Sequence, residues 1–170
     1  MIMHMLPERL GFVGRAQDHM TTGNATSPRL DLVFPGTELA LRDALKKAMT
    51  FLRGLDLGQD ACGLVELVLA EAVNNIIEHA YTGTGDGIVE CRLRKDGELL
   101  HFCILDDGLP MPTGAVPEKK QQDLNGDLQD LPEGGFGWFL IHELTENLHY
   151  TRAGNRNRLE FTMRPSALPQ

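Results

Sequence analysis

Apolar positions recur along the chain with two periods, and the switches between them mark out the elements. Leu30-Asp31-Leu32-Val33-Phe34 suits a strand. Pro35-Gly36-Thr37-Glu38 then supplies turn and N-cap chemistry for a helix carrying Leu39, Leu41, Ala44, Leu45, Ala48, Phe51 and Leu52, which should stop near Gly54. A second helix is predicted from about Gln59 to Tyr81, broken by the glycine-rich stretch from Thr82 to Gly87. Ile88–Arg94 and Leu99–Leu105 read as strands joined by Lys95-Asp96-Gly97-Glu98, whose Asp-Gly pair signals an antiparallel hairpin. Residues 109–133 are rich in Pro, Gly, Gln and Asp, and a connection of that length without periodicity reads as a lid or a disordered segment. Gly134-Gly-Phe-Gly137 opens a last helical pattern through Leu144, and strands follow at Asn147–Thr151 and Arg158–Met163.

This order predicts an α+β fold: a two-layer α/β sandwich with helices packed on one face of a mixed, mainly antiparallel sheet. The domain should run from 28 to 165, with residues 1–27 an extension of uncertain order, a lid at about 109–133 and a tail at 166–170. The second helix breaks its own pattern. Val65, Leu69, Ala72, Val73, Ile76 and Ile77 make a broad apolar face, yet Glu71, Asn74, Asn75 and Glu78 share the opposite one. Leu64, Leu67 and Val68 lie on that same azimuth a turn or two earlier, so the first half of the helix should be buried on both sides. Buried carboxylates and carboxamides without partners cost about 1–3 kcal/mol each, so a ligand, an ion or water should satisfy them.

Composition narrows the function. At 170 residues, 42% hydrophobic and with a net charge of −8, the chain has one core and no broad basic face for nucleic acid or an anionic membrane. Cys62, Cys91 and Cys103 are isolated in apolar surroundings without zinc spacing, as expected of reduced thiols in a cytoplasmic protein. No stretch approaches the roughly 18 apolar residues of a spanning helix, and no secretion signal stands out at Met1–Leu10.

Three segments could converge on one site. Asp106 stands where a strand leaves the sheet, able to accept a hydrogen bond from an exocyclic amine, while Gly108 admits a ligand close to the backbone. Glycines ahead of the last helix leave N–H groups free for phosphate. Asn75 can lend an oxygen to Mg²⁺, and Glu71, one turn earlier, can take a proton from an attacking hydroxyl or water. Singly, Asp-Asp-Gly is most often a turn and Gly-Gly-x-Gly a loop. In this order they describe a magnesium-nucleotide site.

Glu71-Ala-Val-Asn-Asn75-Ile-Ile-Glu-His79-Ala-Tyr81 resembles the N-box of the GHKL ATPase/kinase superfamily, Asp106-Asp-Gly108 its first glycine box and Gly134-Gly-Phe-Gly137 its second. The wording of the first motif and the late Asn157-Arg-Leu159 strand are most similar to the RsbW/SpoIIAB-like anti-sigma factor serine/threonine kinases. That resemblance implies ATP and Mg²⁺ as cofactors, Glu71 as general base toward a serine hydroxyl, Asn75 as the Mg²⁺ ligand and Asp106 as the adenine-amine acceptor. Gly108 would lie near the base, and Gly135, Phe136 and Gly137 would close over the phosphates. It further implies partner switching between a STAS-type anti-sigma factor antagonist, phosphorylated on serine, and a sigma factor, often by a homodimer. Two competing functions share the fold: a regulator that binds ATP without catalysis, and an ATPase module of a signalling complex. The motifs depart from the family at Pro110, where the first glycine box commonly has a second glycine, and at Trp138. The approach to the second box lacks an arginine, leaving Lys119 and Lys120 as either phosphate contacts or a solvated pair.

Overall fold

A computed structural model describes residues 27–82, 87–118 and 136–165. Nine elements follow in order: β1 (Arg29–Pro35), α1 (Glu38–Arg53), α2 (Gln59–Asn75), a π-helical turn (Ile76–Ala80), β2 (Ile88–Asp96), β3 (Leu99–Asp106), α3 (Phe136–Leu144), β4 (Glu146–Ala153) and β5 (Arg156–Met163). The strands form one sheet in the order β1-β2-β3-β5-β4. Every pairing among the described residues is antiparallel, so the sheet is not mixed.

Strand alternation decides which side chains meet the helices. Val89, Cys91 and Leu93 of β2, Leu100, Phe102 and Ile104 of β3, and Leu159, Phe161 and Met163 of β5 are buried in register. Arg29, Arg92, Arg94 and Arg158 turn outward on the other face, each ion-paired to a neighbouring carboxylate. Against the apolar face pack Leu41, Ala44, Ala48 and Leu52 of α1, and Val65, Val68, Leu69, Ala72 and Val73 of α2. At the core's centre the rings of Phe102 and Phe161 stack 4.8 Å apart.

Local chemistry sets the boundaries of α1. The Thr37 side chain accepts a hydrogen bond from the Ala40 N–H at 3.3 Å, capping the helix. Gly54 stands at the other end, its N–H reaching back to the Thr50 carbonyl. Between β2 and β3, Gly97 takes a φ of 58°, the conformation that a tight hairpin asks of glycine.

The second helix departs from expectation in two ways. Its outer stripe is buried only in part: Val68 is fully buried, but Leu67 is 38% exposed and Leu64 half-buried, because α1 and α3 flank the helix while the sheet covers only its inner face. Its last turn widens after Asn75, closing with a bond from the Tyr81 N–H to the Ile76 carbonyl at 3.0 Å. Tyr81 then ends the helix by turning inward. Its hydroxyl donates to the Ile88 carbonyl at 2.7 Å, and its ring lies so close to Gly36 that a Cβ there would come 2.5 Å from Cδ2.

The three thiols are free, Cys62 and Cys91 buried and Cys103 half-buried. Burial pushes the Cys91 thiol up to about 12.

Candidate nucleotide site

The end of α2, the end of β3 and the start of α3 meet around a cavity of about 560 Å³. Asn75, Glu78, His79 and Thr82 line it from the helix end, Asp106 and Asn157 from the sheet, Leu109 to Pro112 and Pro117 from the lid, and Trp138 from α3. The lining is mostly apolar with a few placed polar groups, as small-ligand sites usually are.

Asn75 is fixed by its own helix. Its Nδ2 donates to the Glu71 carbonyl at 2.8 Å, which leaves the amide oxygen free to serve a ligand. Glu71 is half-buried, and its carboxylate lies against Gly137: a Cβ added there would run into Glu71 Oε2 and stand 3.7 Å from Asn75 Nδ2. The glycine at 137 thus lets the second glycine box approach the N-box without displacing the Glu71 carboxylate. Asn74, although it shares the face in a helical projection, lines a separate groove toward α1 with Arg42 and Ala70. Glu78 is exposed and borders both spaces.

Asp106 is 5% exposed at the foot of the cavity. Strand parity puts it there: counting by twos from Phe102 and Ile104 reaches Asp106, on the core face. Its Oδ1 accepts from the Gly108 N–H at 2.9 Å and from Asn157 Nδ2 at 2.8 Å. Burial pushes its carboxyl above the usual range, opposed first by the Asn157 amide, then by the Gly108 N–H and the positive charge of Arg152, while Asp107 adds to the rise. Gly108 fits where no side chain could, because a Cβ would stand 2.7 Å from both the Cβ and the carbonyl oxygen of Ala80. The next residue fastens this turn to the helix end, Leu109 N–H donating to the Ala80 carbonyl at 2.9 Å.

Of the residues singled out in the sequence, Asn75 and Asp106 line the cavity, whereas Glu71, Gly108 and Gly137 stand behind them, Gly137 against Glu71 beside Asn75 and Gly108 hydrogen-bonded to Asp106. Phe136 instead faces outward at 48% exposure, stacked on Phe139 and absent from the cavity lining. Gly134, Gly135, Lys119 and Lys120 lie outside the described residues, as does the lid beyond residue 118. From 109 to 118 the lid is irregular, with the Met111 N–H on the Tyr150 hydroxyl at 3.2 Å and the Pro117 carbonyl 2.8 Å from His142 Nε2. Pro110 lines the cavity where the resemblance has glycine.

Sequence reasoning gave no site role to Asn157, Tyr150 or Arg152. The available signal was parity: Asn157 precedes Leu159, Phe161 and Met163 by steps of two, so a carboxamide occupies a core-facing strand position. Among the described residues no group of three or more His, Cys, Asp or Glu could hold a metal ion. A divalent cation beside Asn75 would take most of its oxygens from phosphate and water, which suits Mg²⁺. No helix among the described residues is long and apolar enough to cross a membrane.

Comparison with known proteins identifies the family and the fold. Residues 34–163 match the family model of the histidine kinase-like ATPase domain. The anti-sigma F factor of Bacillus licheniformis is 26% identical over 98 residues, covering 58% of this chain and 65% of that protein. The serine-protein kinase RsbW of Halalkalibacterium halodurans is 31% identical over 85 residues, 49% of this chain and 51% of the kinase. The chain thus spans just under two thirds of the first relative's length and about half of the second's. Among solved structures, the RsbU and RsbW domains of a Mycobacterium tuberculosis protein share the fold with a TM-score of 0.54 at 16% identity, covering 81% of this chain and 32% of that one. The α+β sandwich, the three boxes in order and the matched family model place the chain in the histidine kinase-like ATPase family of the GHKL superfamily, similar to RsbW.

Proposed function

We propose that this chain binds Mg-ATP in the cavity between α2, β3 and α3 and acts as an anti-sigma factor serine/threonine kinase. The observation that supports this most is a cavity lined by both Asn75 and Asp106, with Gly137 packed against Glu71 beside Asn75. Asp106 accepts the adenine amine, Asn75 offers its amide oxygen to Mg²⁺, and the N-terminus of α3 faces the phosphates. Bound Mg²⁺ neutralises phosphate charge. Glu71 takes the proton of the acceptor serine hydroxyl as that oxygen bonds to the γ-phosphorus and the bond to ADP breaks. Such transfer depends mainly on positioning and charge, so few residues suffice.

The acceptor is a serine on a STAS-type anti-sigma factor antagonist, as the motif resemblance implies, and the alternative partner is a sigma factor; the relatives' names, an anti-sigma F factor and a serine-protein kinase, support the sigma factor and the serine. The protein works in the cytoplasm and is open to homodimerisation. Pro110 in the cavity wall favours a second reading, in which ATP is held for partner binding without transfer. Incubation with γ-labelled Mg-ATP and STAS-domain proteins separates the two. Label on an acceptor serine, lost in Glu71→Gln with nucleotide affinity retained, supports the kinase; tight ATP binding with no transfer to any acceptor leaves the binding-only regulator.

A further inference from the structure

A polar row crosses one end of the otherwise apolar sheet face. Antiparallel register sets Asp106 opposite Asn157, and Asn157 opposite Arg152. Asn157 is 3% exposed, and both ends of its amide are engaged. Its Oδ1 accepts from the Tyr150 hydroxyl at 2.6 Å and from Arg152 Nη1. Its Nδ2 donates to Asp106 Oδ1 at 2.8 Å and to the Leu109 carbonyl at 3.0 Å, with the Gly108 carbonyl at 3.3 Å. Arg152 is held in turn by the Gly108 carbonyl and Asn155 Oδ1, each at 2.9 Å.

This network admits one amide orientation. A flipped amide would aim its N–H groups at the arginine and its oxygen at three acceptors. The consequence falls on Asp106, whose two hydrogen bonds both end on Oδ1. Its second oxygen is the one left for a ligand lining up in the cavity. Because both neighbours donate, the carboxylate is favoured as a pure acceptor. An amine on the ligand matches it; a carbonyl oxygen would face it lone pair to lone pair.

Resting on the nucleotide reading of the cavity, we infer that Asn157, clamped by Tyr150 and Arg152, is a positioning residue that holds Asp106 as an acceptor and so sets the preference for 6-amino over 6-oxo purine nucleotides. Asn157 acts through Asp106 and needs no contact with the base. Substituting Asn157→Leu keeps similar volume and removes the donor, freeing Asp106 to take up a proton and to donate to a 6-oxo group.

Calorimetric titration of the full chain with Mg-ATP and with magnesium inosine triphosphate tests this, with melting curves as a folding control. Asn157→Leu should weaken ATP about tenfold and inosine triphosphate less than about threefold, the loss expected of one hydrogen bond to a charged group. Tyr150→Phe, which removes one of the two donors to Asn157 Oδ1 but keeps the ring, should move the ratio the same way by less, and it carries the test should Asn157→Leu not fold. Equal losses for both nucleotides, or an unmoved ratio in a folded variant that still binds ATP, overturns the inference alone. Failure of the unsubstituted chain to bind ATP overturns the nucleotide reading and this inference with it.

Discussion

Replacing Gly137 with alanine separates catalytic geometry from stability. In α3 the exchange removes the conformational freedom of a helical glycine, a gain of about 0.5–1 kcal/mol. The new methyl would collide with Glu71 Oε2, while Cδ of the same side chain stands 3.4 Å away and Asn75 Nδ2 3.7 Å, both ordinary contacts. Glu71 is half-buried and the atom met is the far end of its side chain, so the collision is relieved by moving a carboxylate rather than backbone. A melting temperature unchanged or raised by up to about 4 °C is expected. Phosphoryl transfer should fall about a hundredfold, because a displaced base loses its alignment with the hydroxyl. Nucleotide affinity should stay near that of the unsubstituted chain. Gly108→Ala is the contrast. There the methyl meets Ala80 Cβ and O at 2.7 Å and Ala80 C at 2.9 Å, largely backbone that also accepts the Leu109 N–H. It cannot rotate away, so about 1–3 kcal/mol of overpacking should lower the melting temperature by about 2–12 °C. Differential scanning fluorimetry and single-turnover transfer of labelled phosphate read the two effects. A melting loss in Gly137→Ala equal to that in Gly108→Ala, or transfer at the unsubstituted rate, refutes the placement of Glu71 against α3.

Further outcomes follow from the same coordinates. Asn75→Ala should abolish the dependence of nucleotide affinity on Mg²⁺ while leaving metal-free nucleotide binding in place; calorimetry with and without Mg²⁺ checks it, and an unchanged Mg²⁺ dependence removes Asn75 from the metal. ATP affinity should decline on acidification, beginning above the ordinary aspartate value of 3.8, because burial raises Asp106 and only the carboxylate accepts the amine. The sign for stability is the reverse: a raised folded value makes this group's contribution full below 3.8 and lost as pH rises through the raised value. Titrations between about pH 4 and pH 8 in which affinity stays level would contradict that placement. Phe161→Ala removes a 2% exposed ring stacked on Phe102 and should cost about 3–5 kcal/mol in denaturant unfolding, whereas a loss near that of a surface substitution would contradict the core.

Local periodicity carried most of the fold. Thr37, Gly54 and Gly97 punctuate the chain where side-chain or backbone chemistry forces a stop, so the ends of α1 and the β2–β3 hairpin were legible. Sheet order was less so, because which strands neighbour each other depends on long-range pairing that a two-residue period does not encode. Leu67 misled for a related reason. A helical projection gives azimuth but not what lies at that azimuth, and α1 and α3 flank α2 without covering all of its outer stripe.

The site was legible where chemistry repeats a local motif and hidden where it depends on how the helix ends. A uniform projection of about 100° per residue puts Glu71, Asn74, Asn75 and Glu78 on one face. The chain keeps that geometry only as far as Asn75, then widens by one residue per turn. The widened turn brings Ala80 under Gly108, where its carbonyl accepts the Leu109 N–H. A helix end would otherwise leave that carbonyl to water. The π turn therefore does structural work for the opposite wall: it supplies the anchor on which the first glycine box turns, and that turn sets the Gly108 N–H on Asp106. Asn75 and Asp106 face one cavity because a single irregular turn serves both the helix that ends in it and the strand that leaves beside it.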